Sequence, residues 1–223
     1  MTAHPRAADL EEGLAYAMHA RLAAHYERHL VDECGYRSHE MIAETALSLG
    51  PRDGLWLDFG AGSGLVGRAL AAHSTAIQLI AIDRSRAMLD LIDLPIYVSR
   101  LEADCNDVLA LHEQSFDGAL AAGLLEHLPD PEPLFRNVAG LLCQGGHFLF
   151  TYPPNQSGGT AMADDMQALV SHDVSALGRQ LARCGFTITS EREYPAYRNG
   201  ARGWMVHRLA ACRLGRGPAP RQA

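Results

Sequence analysis

The feature that most constrains the fold of this chain is an alternation. From residue 54 onward, short apolar runs of strand length (GLWLDF, IQLIAID, IYVSRLEAD, SFDGALAAG, GGHFLFTYP) are separated by helical or polar segments. Strands joined through helices lie parallel in one sheet, so this order predicts an α/β fold with helices on both faces. Helices are expected from Gly64 to His73, from Ser85 to Ile92 and from Pro131 to Leu142. A further helix over VSALGRQLARC ends at Gly185, a glycine cap, and FTITSEREY and WMVHRLAACRL read as a closing pair of strands. Ahead of the sheet, residues 8–34 have helical periodicity and no proline, and YRSHEMIAETALSL reads as another helix capped by Ser38. PRDG at 51–54 is a turn.

The first apolar run closes in LDFGAGSG. Gly60, Gly62 and Gly64 let the backbone approach a ligand and adopt torsions that a Cβ forbids. In an open α/β sheet, ligands bind beyond the carboxyl ends of the strands, where such a loop meets a helix. A dinucleotide fingerprint places its third glycine five residues after the first; position 65 is Leu, which argues against NAD and FAD. Asp58, just before the turn, suits a cationic ligand portion such as an ammonium group. Asp83 ends the second strand and can accept both ribose hydroxyls. Asp104, after the third strand, is placed to receive an exocyclic adenine amine. Acids at three successive strand tips suit an adenosine that carries an amino-acid arm and a positive centre.

With these residues the chain resembles the class I S-adenosylmethionine-dependent methyltransferases. The resemblance runs from Trp56 to Tyr152, and more faintly to Arg213, through LDFGAGSGLVG, AIDRSRAML, EADCND, FDGALAAGLLEHLPDPEPLF and LLCQGGHFLFTYPP. It implies a Rossmann-like, seven-stranded, mostly parallel sheet with helices on both faces, and S-adenosylmethionine as cofactor. Residues 1–50 are expected to form a helical lid, 51–213 the cofactor-binding domain and 214–223 a disordered tail. The segment HYERHLVDECGYRSHE resembles the methyltransferase-like group related to the Williams–Beuren region protein. By the same resemblance, Gly60, Ala61 and Gly62 line the methionine arm, Asp83 holds the ribose and Arg84 flanks the adenine face. Asp104 and Cys105 meet the adenine edge, Ala122 and Gly123 face the methionine arm, and Met88 completes the cofactor set. Tyr26 and Arg37 lie in the lid, where Arg37 either pairs with the methionine carboxylate or forms a surface salt bridge.

For the reaction itself, His127 and Glu126 are candidate bases, His127 having the better unperturbed pKa. Tyr152 and Asn155, past the fifth strand, are expected on the same rim and in reach of an acceptor. Tyr36, Tyr194 and Tyr197 can add aromatic walls that favour a sulfonium. The leading expectation is a methyltransferase acting on oxygen or nitrogen of a small molecule in biosynthesis. The alternative keeps the cofactor but cyclises it to azetidine-2-carboxylate and methylthioadenosine. A non-catalytic cofactor-binding subunit and a dinucleotide oxidoreductase come behind.

Composition narrows the remaining choices. All 19 basic residues are Arg, and the absence of Lys excludes Schiff-base chemistry and a P-loop lysine. A net charge of −7 without a basic cluster argues against a nucleic-acid partner. Five scattered cysteines with no CxxC read as reduced thiols, and the pair Asp164–Asp165 reads as solvated acids, so no metal is expected. No apolar run approaches the ~20 residues of a membrane helix, and the first dozen residues lack a signal core. A cytoplasmic monomer or homodimer that meets no membrane is therefore expected.

Overall fold

The computed structural model describes residues 27–49, 53–73, 76–107, 111, 116–155, 169–200 and 203–215. Tyr26, most of the first expected helix, Asp164, Asp165 and the last eight residues lie outside them.

Seven strands form one sheet: β1 (Asp53–Phe59), β2 (Ala76–Asp83), β3 (Tyr97–Glu102), β4 (Phe116–Ala121), β5 (Leu142–Tyr152), β8 (Phe186–Asn199) and β9 (Gly203–Leu214). Their order is β3-β2-β1-β4-β5-β9-β8, and β6 (Pro154–Asn155) pairs with β7 (His172–Asp173) as a separate small ribbon. Strands β1 to β5 are mutually parallel; β9 alone runs against its neighbours β5 and β8. The alternation of the sequence thus becomes the expected mostly parallel sheet.

Helices cover both faces. On one side α1 (Ser38–Ser48) and α2 (Leu65–Ala71) set Met41, Ile42, Ala46, Val66 and Leu70 against Trp56, Leu79, Leu120 and Leu149. On the other, α4 (Glu132–Leu141) and α5 (Val174–Arg183) bury Leu134, Phe135, Val138, Leu177 and Leu181 against Phe59, Phe116, Phe148 and Phe150. The central strands β1, β4 and β5 are largely buried because both faces there are covered, whereas the edge strands β3 and β8 are mostly exposed. At the sheet edge, α3 (Arg86–Leu89) is shorter than its sequence predicts: Ser85 caps it, accepting from Met88 N at 3.3 Å, and Leu91 and Ile92 close the last turns.

Two local expectations differ in detail. Ser38 is the first residue of α1, not its cap; Arg37 takes the cap position, and the Ser38 hydroxyl accepts from Tyr194 Oη at 2.8 Å. The described end of the first helical segment, His29–Glu33, is wound as a π-helical turn. Its Cys34 carbonyl accepts from Arg198 N at 2.7 Å, which joins this segment to the β8–β9 hairpin.

Candidate functional site

The sheet order reverses at β1, which lies between β2 and β4. Chain crossovers leave the sheet in opposite directions there, and a crevice opens beyond the carboxyl ends of the two strands. The β1–α2 loop and the residues after β4 meet at this point.

The loop needs its glycines. Gly60, Gly62 and Gly64 have φ of 67°, 53° and 86°, in the left-handed region where a Cβ is disfavoured. A Cβ on Gly60 would stand 3.1 Å from Leu124 Cδ1, and one on Gly62 would stand 3.4 Å from Met88 Cε. The loop backbone is tied to β2: Gly60 N and Ala61 N both donate to the Ile82 carbonyl, at 2.8 and 3.1 Å. Asp83 completes the tie. Its Oδ2 accepts from Gly62 N and its Oδ1 from Ser85 N, both at 2.8 Å. A carboxylate has about four lone-pair positions, so a half-buried Asp83 clamps the loop and retains acceptor capacity for ligand hydroxyls. Arg84 beside it is exposed, whereas Met88 is buried beneath the loop as packing for Gly62.

Asp104, exposed past β3, caps its own turn by accepting from Asn106 N at 2.8 Å. Asn137 of α4 holds this loop through the carbonyls of Cys105 and Asn106. Burial and the neighbouring Asp104 push the Cys105 thiol up to about 12, so it is a neutral, weakly polar surface. Past β4, Ala122 and Gly123 are half-buried at the crevice, and Gly123 N donates to Thr151 Oγ1 at 2.9 Å. Gly123 has φ 67°, and a Cβ there would fall 2.5 Å from Tyr36 Oη and 3.6 Å from Glu126 Oε1. Glycines at both strand ends and acids at successive tips therefore make a cradle that fits S-adenosylmethionine.

Two expectations need correction, and one open alternative is decided. Asp58 does not face a ligand ammonium: it is 1% exposed, and its Oδ2 accepts from Tyr97 Oη at 2.5 Å. Tyr97 Oη in turn accepts from Gly67 N of α2 at 3.1 Å, so the acid serves the interior beneath the loop. Burial pushes Asp58 up to about 7, against the hydrogen bond, which lowers it. Tyr152 is fully buried, not on a rim; it ends β5 with its side chain toward the opposite sheet face and donates to Glu191 Oε1 at 2.8 Å. Arg37 is exposed and pairs with Glu40 at 3.3 Å, the surface salt-bridge outcome.

The two candidate bases point differently. His127 is exposed, whereas Glu126, one residue earlier in the 3-10 turn Leu125–His127, is 7% exposed. Asn155 is half-buried in β6, opposite Asp173. A residue that sequence reasoning missed, His207 of β9, is 1% exposed, with Nδ1 3.7 Å from Glu126 Oε2. Its signal was there to find: His207, Leu209 and Ala211 alternate along one strand face, and a histidine stands in that apolar series. Tyr97 was missed as well. Among the described residues no group of His, Cys, Asp and Glu is arranged to hold a metal, and no helix is long and apolar enough to cross a membrane.

Comparison with known proteins agrees with this geometry. Residues 57–148 match the family model described as a methyltransferase domain. A ubiquinone biosynthesis O-methyltransferase of Coxiella burnetii (strain Dugway 5J108-111) is 33% identical over 99 residues, 43% of this chain. That match spans 42% of the relative's length, so less than half of either protein is aligned. Among solved structures, 1,6-didemethyltoxoflavin-N1-methyltransferase of Burkholderia thailandensis, with 1,6-didemethyltoxoflavin and S-adenosylhomocysteine bound, superposes with a TM-score of 0.66 at 18% identity. It covers 96% of this chain and 94% of its own. The [4+2]-cyclase SpnF superposes equally well, TM-score 0.66 at 17% identity, over 80% of this chain and 81% of its own. The chain has the fold of the S-adenosylmethionine-dependent methyltransferases, and within that fold its residues 57–148 match the model of a methyltransferase domain.

Proposed function

We propose that the protein is an S-adenosylmethionine-dependent methyltransferase that methylates an oxygen or nitrogen of a small molecule. The observation that carries this reading is the loop of three left-handed glycines, clamped by Asp83 at the point where the sheet order reverses. Asp83 and Arg84 would hold the nucleoside sugar and one adenine face, Asp104 and Cys105 the adenine edge. Gly60, Ala61, Gly62, Ala122 and Gly123 would line the methionine arm. When bound, the cofactor supplies a methyl group on a sulfonium, whose thioether departs with little assistance, so the protein's task is alignment.

Tyr36 reaches Gly123 from the segment ahead of α1, which supports that segment as a lid over the crevice, while α1, also within the expected 1–50 lid, instead packs against the sheet. The name of the ubiquinone-pathway relatives supports oxygen as the accepting atom. The aromatic groups around Gly123 also suit the second reading, in which the curled methionine arm reacts with itself. Whether the chain acts as a monomer or a homodimer, and its kinship with the Williams–Beuren group, rest on sequence alone.

Calorimetric titration with S-adenosylmethionine and, separately, NADH tests the cofactor; binding of NADH alone would overturn the reading. Mass spectrometry after incubation with S-adenosylmethionine alone then separates the two chemistries. Accumulation of methylthioadenosine would establish cyclisation. A cofactor that persists until an acceptor yields S-adenosylhomocysteine establishes methyl transfer.

A further inference from the structure

Gly64 and Gly67 leave room for one ring. A Cβ on Gly67 would stand 2.2 Å from Tyr97 Cε2, and one on Gly64 would stand 3.1 Å from the same atom. Tyr97 opens β3 and passes its ring under the glycine loop, where it packs against the cluster of Ala61, Ala81, Leu89 and Ile92. Its hydroxyl accepts from Gly67 N at 3.1 Å and donates to Asp58 Oδ2 at 2.5 Å.

The first of these bonds has a local cause. Gly67 is the third residue of α2, so its N–H belongs to the opening turn, which finds no acceptor within the helix. Gly64 holds the cap position with φ 86° and has no side chain to offer. Tyr97, 30 residues further on, supplies the missing acceptor. The second bond fixes the hydroxyl from the opposite side: Asp58 lies in the last turn of chain before the loop, at the end of β1, and is 1% exposed. The start of α2 and the floor of the loop thus depend on one phenol seated on a buried acid.

We propose that Tyr97 positions the glycine loop for the cofactor, and that Asp58 beneath it binds or releases a proton according to the charge of the nucleoside on the loop. This role rests on the cofactor reading and adds to it a means of telling S-adenosylmethionine, a net cation, from S-adenosylhomocysteine, which is neutral. Asp58 touches no ligand here; it acts through Tyr97 and through its field across the loop. In a poorly screened interior, an ionised carboxylate favours a nearby cation, and the cation favours ionisation. Binding of S-adenosylmethionine therefore sends the Asp58 proton to solvent, and the carboxylate takes a stronger, charge-assisted bond from Tyr97. Loss of the methyl group removes the sulfonium charge. Asp58 then regains a proton from solvent, its bond to Tyr97 weakens, and the neutral product is held less tightly.

The electrostatics agree. Burial pushes Asp58 up to about 7, so both of its forms are populated near neutral pH; the hydrogen bond from Tyr97 opposes that rise, and the Asp83 charge on β2 adds to it. Tyr97 is held far above its ordinary value, first by burial and then by the Asp58 charge, so it keeps its proton and remains the donor. From α2, the Arg68 charge acts on Tyr97, and Arg68 is itself paired with Glu27. On the other side β4 sets the apolar Leu120 beside Asp58.

Calorimetric titration of the full chain between pH 5 and pH 9 provides the test. If binding lowers the Asp58 pKa by about one unit, affinity for S-adenosylmethionine rises about tenfold with pH across that range. Repeating the titration in buffers of different ionisation enthalpy reads the proton released. S-adenosylhomocysteine should give a nearly flat profile. Asp58→Asn, a permanently neutral stand-in, should abolish the rise; the nucleoside's own amine titrates alike with both proteins, so their difference reads Asp58. Tyr97→Phe removes a bond that favours the ionised acid and should move the rise about one pH unit upward. A tyrosine that merely supports the fold would instead lower affinity equally at every pH. A flat S-adenosylmethionine profile in wild type, an equal rise with S-adenosylhomocysteine, a rise that persists in Asp58→Asn, or a uniform loss in Tyr97→Phe would each overturn the proposal while leaving the cofactor reading intact. If Tyr97→Phe fails to fold by circular dichroism, Asp58→Asn carries the test. Wild-type protein that binds neither nucleoside at any pH would overturn the cofactor reading, and this role with it.

Discussion

Replacing Asp58 by Asn offers the sharpest test of the site's electrostatics. The carboxyl is buried under the glycine loop, where it accepts from the Tyr97 hydroxyl at 2.5 Å. Folding raises its pKa from 3.8 to about 7, with burial as the largest cause and the Asp83 charge adding to it. An acid raised in this way contributes stability that is complete below its unfolded pKa and is lost as the pH rises through the folded value. Each pKa unit is worth about 1.4 kcal/mol. Between about pH 5 and pH 8, Asp58 therefore removes roughly 3 kcal/mol of wild-type stability that Asp58→Asn should keep. Asn accepts from Tyr97 through its carbonyl oxygen, so the hydrogen bond survives. Urea denaturation of both proteins at several pH values reads the difference directly. Glu126 and His207 titrate in both proteins and cancel. Stability curves that run parallel from about pH 5 to pH 8 would refute the argument, for they would mean that Asp58 ionises in the ordinary carboxylate range.

Other substitutions probe the loop and the corrected residues. Asp83→Asn retains one acceptor oxygen where two backbone amides now bind; S-adenosylmethionine affinity should fall about 10- to 100-fold by calorimetry, one charged hydrogen bond's worth. Gly62→Ala places a side chain at φ 53°, a strain of about 1–2 kcal/mol, and should lower both melting temperature and cofactor affinity. Gly67→Ala sets a Cβ 2.2 Å from Tyr97 Cε2 and should destabilise the fold by about 1–3 kcal/mol in urea titration, the cost of overpacking. Tyr152→Phe should cost about 1 kcal/mol of stability and leave cofactor binding unchanged, because its hydroxyl serves Glu191 away from the crevice.

Much of this protein could be read in local pattern. Strand and helix alternation depends on near-neighbour periodicity, so the five parallel strands and most covering helices appear where expected. The glycine loop is equally local: each left-handed torsion belongs to its own residue, and Gly60, Gly62 and Gly64 announce it. Asp83 at a strand tip follows from the same reading, since the end of β2 and the loop after β1 must meet at the sheet's carboxyl edge. Side-chain direction is a different matter. Tyr152 and Asp58 are both at strand ends, but strand pleat and packing partners, Glu191 for one and Tyr97 for the other, turn them inward. Their short-range sequence contains neither partner. The pairing of Glu126 with His207 joins positions 81 residues apart (207 − 126) through the reversed strand β9. Sequence alone determined the parallel sheet and its glycine loop, because those follow from backbone torsion and periodicity, and the resemblance of its motifs to the class I methyltransferases supplied the cofactor. Only the tertiary structure decided which acids face the interior and which histidine meets Glu126, because burial and proximity depend on strands brought together from distant parts of the chain.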